Sequence, residues 1–135
     1  MKLVDVYSSP HAARVLYDFL KERDPNVNIS HKEMPAWERH LDFMASRPYQ
    51  AWFLIQSDDE EFVGSIYVTG KSEVGLFIFK AHRRKGYGSQ AFAELRLHHP
   101  ERLLANISPT NTLSQSFFKK HGFKLIQETY IVEPN

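Results

Sequence analysis

The spacing of hydrophobic and polar residues switches several times along the chain, and each switch marks an element. Leu3 to Tyr7 is a short apolar run with strand character, and Ser8-Ser9-Pro10 then offers an N-cap and a first-turn proline. They predict a helix to about Glu22 whose apolar face is Ala12, Val15, Leu16, Phe19 and Leu20. Asp24-Pro25-Asn26 breaks it. A second helix starts near Pro35, packs through Trp37, Leu41, Phe43 and Met44, and stops at Arg47-Pro48. From Gln50 the pattern changes to three runs rich in aromatic and β-branched residues, Ala51 to Gln56, Glu61 to Thr69 and Glu73 to Phe79. The spacers Ser57-Asp58-Asp59-Glu60 and Gly70-Lys71-Ser72 are short enough to predict an antiparallel meander.

A basic, glycine-bearing loop follows, then a helix from about Gly88 to His98. Arg102 to Ser108 reads as a strand, Thr112 to Lys120 as a helix, and Phe123 to Val132 as extended chain. The order β-α-α-β-β-β-α-β-α-β joins an antiparallel half to one β-α-β crossover, which predicts an α/β or α+β three-layer domain with a ligand expected at the crossover.

At 135 residues the chain suits one domain, residues 1–135, and its 42% hydrophobic and 24% charged composition excludes a disordered polymer. Seventeen basic against sixteen acidic residues give a net charge of +1, so any basic site must be local. Nucleic acid is not an expected partner, because the cluster Lys80 to Lys85 is short and backbone binding needs distributed cations. The absence of cysteine removes disulfides, thiolate metal sites and a Cys nucleophile. No apolar run has the length of a signal peptide or a membrane span, so the expectation is a cytoplasmic protein without a membrane partner.

The apolar run Leu76-Phe77-Ile78-Phe79 leads into Arg83-Arg84-Lys85-Gly86-Tyr87-Gly88-Ser89, and an amphipathic helix begins at once. Strand, glycine turn and helix aim free N–H groups and the positive end of a helix at one spot, which suits phosphate. Gly86 and Gly88 permit positive φ and close approach, and Arg83, Arg84 and Lys85 supply countercharge. Gly86-x-Gly88-x-x-Ala91 also fits the dinucleotide fingerprint, but the next strand ends Asn106-Ile107-Ser108 with no acid for a ribose. A solvated basic turn is the plain alternative.

With Asn106 to Phe123 added, the chain resembles the GNAT superfamily of acyl-CoA-dependent N-acetyltransferases. Its first signature, a strand followed by Arg/Gln-x-x-Gly-x-Gly/Ala, is met by Arg83, Gly86 and Gly88. Its second, Asn, a small residue, a helix and aromatic-x-x-x-Gly-Phe, is met by Asn111, Ser114, Phe118, Gly122 and Phe123. The resemblance is specific over about residues 62 to 125. It implies a GNAT-like α-β-α fold with a mixed, mostly antiparallel central sheet and a splayed parallel pair formed by Glu73–Phe79 and Arg102–Ser108.

What the resemblance implies for chemistry is direct transfer of an acetyl group from acetyl-CoA to a primary amine. The pyrophosphate would lie on Arg83 to Ser89, with Tyr87 among them, and the pantetheine arm along Phe77, Ile78 and Phe79, beside Asn111 and Phe118. A backbone N–H near Ile78 would hold the oxyanion. Asn111 fits a helix cap equally well. Family members often have Tyr at the position of Phe118 as general acid; Tyr87, Tyr130 and His121 are the nearby substitutes, His121 reading more readily as a solvated residue at a helix end. Glu73 is the candidate base, since Glu73, Gly75 and Phe77 share one strand face, and Asn106, at another common base position, cannot serve. Otherwise Glu73 pairs with Lys71 or Arg102.

Acceptor specificity would come from His31, Glu33, Trp37, His40, Tyr49 and Trp52, although helix-spaced aromatics also fit a core. The stretch from Ile29-Ser30-His31 to Trp52, with Glu73-Val74-Gly75, is similar to acetyltransferases of nucleotide-linked amino sugars. The expected partner is a small-molecule, amino-sugar or peptide amine, with a homodimer left open. The alternative is a non-catalytic acyl-CoA-binding sensor, motivated by Phe118.

Overall fold

The computed structural model describes residues 1–22 and 34–135. Four strands, β1 (Lys2–Asp5), β2 (Tyr49–Gln56), β3 (Phe62–Thr69) and β4 (Val74–Ile78), form an antiparallel sheet in sequence order. The meander is where the aromatic and β-branched runs placed it. Helices α1 (Ala12–Glu22) and α2 (Trp37–Ala45) cover one face; α3 (Tyr87–His98) and α4 (Thr112–Lys120) cover the other.

The period-2 pattern of the strands explains the two cores. Trp52 and Leu54 of β2 join Leu16 and Phe19 of α1 on one face, while Ile55, Ile66, Val68 and Val74 meet Ala91, Phe92, Leu95 and Phe118 on the other. Each fully buried side chain of this size contributes roughly 1.5–3 kcal/mol. Only part of the expected α1 face is fully buried, namely Ala12, Leu16 and Phe19. In α2 the buried residue is His40, at 4% exposure, whereas Leu41 is 40% exposed. The apolar stripe therefore misjudged α2. His40 sits inside because its ring packs on Tyr17 and Trp37 and its Nε2–H donates to the Ala13 carbonyl at 2.7 Å. Beyond Asp5 the chain leaves the expected first strand in a 3-10 turn, Val6–Ser8, and the Tyr7 hydroxyl both donates to the Tyr49 carbonyl and accepts from the Tyr49 N–H.

Two expected strands are not formed. Residues 102–108 touch β4 through a single parallel bridge, Glu73 to Leu104, with Val74 N–H donating to Leu104 O at 2.7 Å and Leu104 N–H to Ser72 O at 2.9 Å. Residues 124–135 are exposed and pair with nothing in the sheet, so the 102–108 segment lacks the second neighbour that would hold it as a strand. Leu125 and Ile131, 74% and 81% exposed, are part of that stretch. The parallel pair is thus closed at one point and splayed beyond it.

Close approach of β3 to β4 depends on Gly64: a Cβ there would lie 2.2 Å from the Phe77 carbonyl oxygen and 2.9 Å from the Ile78 side chain. Gly64→Ala is expected to destabilise the protein by about 1–3 kcal/mol in denaturant titration, since backbone cannot step aside as a side chain would. Burial lowers the His40 pKa below its usual value. The unfolded chain therefore takes up a proton near pH ~6.5 while folded His40 resists it, so stability present above that pH is lost as the pH falls toward the lowered folded value. Unfolding midpoints should drop from pH 7 to 5.5, and less so in His40→Gln, which keeps a donor for Ala13 but does not titrate.

Candidate active site

After β4 a 3-10 turn, Lys80–His82, redirects the chain, and its first N–H donates to Glu22 Oε2 at 2.8 Å. Arg84 and Gly86 then adopt left-handed conformations, with φ of 63° and 83°. Gly86 is the residue before α3, and the first helical bond runs from Gln90 N–H to Gly86 O at 3.1 Å. The N–H groups of Tyr87, Gly88 and Ser89 precede that bond, and no side chain caps them. Exposed Arg84 and Lys85 stand beside them without an ion pair among the described residues. Free amides, a helix dipole and two cations make an anion cradle.

Other loop residues take different places from those expected. Arg83 turns back, its Nε donating to the Ile78 carbonyl at 3.1 Å and its guanidinium lying over the Phe77 ring. Gly88 is helical rather than left-handed, and a Cβ there would meet Leu76 and Phe117 at 3.3 Å, so its smallness serves packing of α3 on β4 and α4. Tyr87 is half-buried near His82. Phe118 is 7% exposed in the core against Phe123, which takes its ring away from any ligand. Asn111 caps α4, accepting from Ser114 N–H at 3.1 Å. Tyr130 is 85% exposed and bonded to Glu128, far in character from a buried acid. His121 ends α4, as expected, but is only partly exposed: its Nε2 is 2.9 Å from Ser89 Oγ, its ring packs on Phe117 and Phe92, and burial with Lys120 nearby lowers its pKa.

The backbone of β4 supplies what the side chains do not. Thr69 N–H donates to Glu73 O, and Phe79 N–H to Val63 O, both at 2.8 Å. In an antiparallel ladder the bonded residues alternate, so the N–H groups of Leu76 and Ile78 point away from β3, toward the splayed gap. Val74 N–H, two residues earlier, is the one that reaches Leu104. Of Phe77, Ile78 and Phe79, only Ile78 presents its amide to the gap. The gap closes at the Glu73–Leu104 bridge and opens toward the N-terminus of α3.

At the closed end, Glu73 is held by two neutral donors: Thr69 Oγ1 at 3.1 Å from Oε1 and Asn106 Nδ2 at 2.6 Å from Oε2. Neither Lys71 nor Arg102 forms an ion pair with it among the described residues. Asn106, dismissed as a base, instead orients the carboxylate, a role invisible without the fold. Glu73, Gly75 and Phe77 do share a face, and it is the α1–α2 face: Tyr67 lies so close over Gly75 that a Cβ would be 2.1 Å from its ring.

On that face lies a cavity of about 570 Å³ between α1, α2 and the sheet, with Phe77, Tyr67, Tyr49, Trp52 and His40 in its wall. Tyr49 stacks on Tyr67 at 4.0 Å and meets Trp52 edge-on at 4.8 Å, so these aromatics are both core and cavity lining. Trp37 packs edge-on against Tyr17 at 5.0 Å and is not in the wall. His31 and Glu33 lie outside the described residues. Among the described residues no cluster of three metal-ligating side chains occurs, and no helix is long and apolar enough to cross a membrane.

Residues 2–124 match the family model of the acetyltransferase (GNAT) domain. No curated protein matches the sequence. Among solved structures, a domain from Methanocaldococcus jannaschii superposes with a TM-score of 0.74 at 20% identity, covering 95% of this chain and 92% of that one. An aminoglycoside N-acetyltransferase in complex with CoA gives 0.74 at 16% identity over 98% and 93% of the two chains. A ribosomal-protein alpha-N-acetyltransferase in complex with coenzyme A gives 0.72 at 14% identity over 93% and 80%. At these identities the likeness is one of fold.

The two loop glycines should separate in experiment. Gly86→Ala, strained at φ 83° in otherwise open space, should cost about 1–2 kcal/mol and weaken CoA binding in calorimetry by reorienting the first-turn amides. Gly88→Ala should lower thermal stability through Leu76 and Phe117, and its CoA affinity should fall less.

Proposed function

The chain belongs to the GNAT acetyltransferase family, whose cosubstrate is acetyl-CoA, and on that premise we propose that it moves an acetyl group from acetyl-CoA directly to a primary amine in the gap beside β4. The observation that carries this reading is the open edge of β4: amides at Leu76 and Ile78 with no partner among the described residues, running from the cradle at Arg84–Ser89 to the carboxylate of Glu73. Unpaired backbone N–H groups in a shielded gap cost free energy until a ligand or water accepts from them, which suits the amides and carbonyls of a pantetheine arm.

In this reading the first-turn amides of α3, with Arg84 and Lys85, hold the pyrophosphate. Ile78 N–H donates to the thioester oxygen, and its bond strengthens as that oxygen becomes an oxyanion. Arg83, by donating to Ile78 O, fixes the orientation of the same residue. The amine nitrogen attacks the carbonyl carbon and the new C–N bond forms; the adduct nitrogen releases its extra proton to water, and the C–S bond breaks as the tetrahedral adduct collapses to the amide and the CoA thiolate.

An alkylammonium with a pKa near ~10.4 must first lose a proton. Glu73 is the acceptor best placed in the gap, but from Glu73 to Ile78 an extended strand covers roughly 16 Å at ~3.3 Å per residue. The proton therefore travels to it through water. Thr69 and Asn106 fix the carboxylate as the end of that relay. The thiolate takes its proton from solvent, since Phe118 is buried and carries none.

Glu73→Gln should lower kcat by about 10²-fold or more, leave the CoA dissociation constant unchanged, and remove the acidic limb of the kcat/KM profile. Asn106→Leu should lower kcat by a smaller factor. An unaltered pH profile in Glu73→Gln would dismiss Glu73 as the base.

A further inference from the structure

The wall of the cavity on the α1–α2 face is mostly apolar, and it begins at Phe77, the neighbour of Ile78 in β4. Phe19 meets Phe77 at 5.5 Å, while Tyr49, Trp52 and Tyr67 form the stacked group opposite. Its volume of about 570 Å³ lies within the ordinary range for small-molecule sites, about 300–1,000 Å³. Arg39 and Asp42 are exposed and stand at its rim. One buried hydroxyl in this wall has no hydrogen-bond partner among the described residues. Ser65, directly across from Phe77 in the β3–β4 register, is 7% exposed, lines the cavity, and its hydroxyl makes no hydrogen bond among the described residues. Buried hydroxyls are ordinarily satisfied, so an orphan aimed into a cavity beside the reacting strand calls for a ligand group.

Resting on the function proposed above, we propose that this cavity is the acceptor pocket and that its substrate is a monoamine with a compact aromatic or aliphatic body bearing one polar substituent, which hydrogen-bonds Ser65. The chemistry of the wall selects this class. Arg39 and Asp42 can meet one charge or hydroxyl at the rim, but a polyhydroxylated amino sugar or a polycationic aminoglycoside would bury its other donors and charges against rings and a His40 Nε2 already bonded to Ala13, and each unpaired group costs about 1–3 kcal/mol. An aryl or alkyl body instead gains burial against Phe19, Tyr49, Trp52 and Tyr67. The same wall assists the reaction. Desolvation disfavours the ammonium form and so lowers the acceptor's pKa, reducing the proton-removal work left to Glu73 and water. The departure from the amino-sugar likeness of the sequence follows from the faces of β2 and β3, which decide what the aromatics surround.

The test is an acceptor panel at saturating acetyl-CoA, reading free thiol release: 2-phenylethylamine, 4-hydroxyphenylethylamine, hexylamine, glucosamine, kanamycin and an alanyl peptide. The arylalkylamines are expected to exceed glucosamine and kanamycin in kcat/KM by about 100-fold, the size of a mismatch of a few kcal/mol. Ser65→Ala, which removes an unsatisfied hydroxyl, should keep or raise the melting temperature while lowering kcat/KM for 4-hydroxyphenylethylamine about tenfold and sparing 2-phenylethylamine. A purely structural Ser65 would change both amines alike. Preference for glucosamine, kanamycin or the peptide, or acetyl-CoA binding in calorimetry with no arylalkylamine turned over, overturns the pocket assignment and leaves the acetyltransferase reading standing. Failure to bind acetyl-CoA in calorimetry overturns the acetyltransferase reading and the pocket assignment with it.

Discussion

On its β3 side, β4 is paired from Val74 to Ile78; on its other side it keeps one partner, Leu104, at the bridge to Glu73. Peptide groups removed from water need partners, and those of Leu76 and Ile78 are left facing a wedge. Residues 102–108 meet β4 at the one bridge and form no strand beyond it, while the β3–β4 ladder holds β4 in place and Gly64 lets the two strands approach at the Phe77 carbonyl. One satisfied edge fixes β4 in place. The open edge is then a rigid row of donors rather than a mobile loop, which is what electrostatic stabilisation of a developing oxyanion requires.

The sheet also separates the two sites of the proposed chemistry. The anion cradle at the N-terminus of α3 belongs to the α3–α4 layer, where the core is aliphatic and Phe-rich, and where His121 and Ser89 tie α4 to the first turn of α3. The cavity belongs to the α1–α2 layer, lined by stacked Tyr and Trp rings. β4 is shared by both, since alternate side chains face opposite layers and its free edge lies between them. An acyl donor on one side and an amine on the other can therefore meet at that edge without either entering the other's core.

The sequence made the meander, the four described helices and the glycine turn before α3 legible, because each rests on local signals: period-2 runs with short turns, helical stripes with caps, and glycine between strand and helix. It also placed Glu73, Gly75 and Phe77 on one face, which the register bears out. It misread Leu41 and overlooked His40, since a stripe of apolar residues cannot reveal that Ala13 and two aromatic rings will satisfy a buried imidazole. It overcounted strands at 102–108 and 123–132, where β-propensity exists but pairing depends on neighbours far along the chain.

What the amino-acid sequence determined by itself was the family and a glycine-bearing basic turn between strand and helix, because signature residues and loop glycines act within a few positions of one another. Which loop groups stand open was decided only in three dimensions: Gly86 and the first-turn amides are free, whereas Gly88 is packed and Arg83 is turned onto Ile78. The partners of Glu73, the open amide of Ile78 and the orphan hydroxyl of Ser65 likewise came from the tertiary structure. Each depends on strand register and splay, and register is a relation between distant segments that no local pattern encodes.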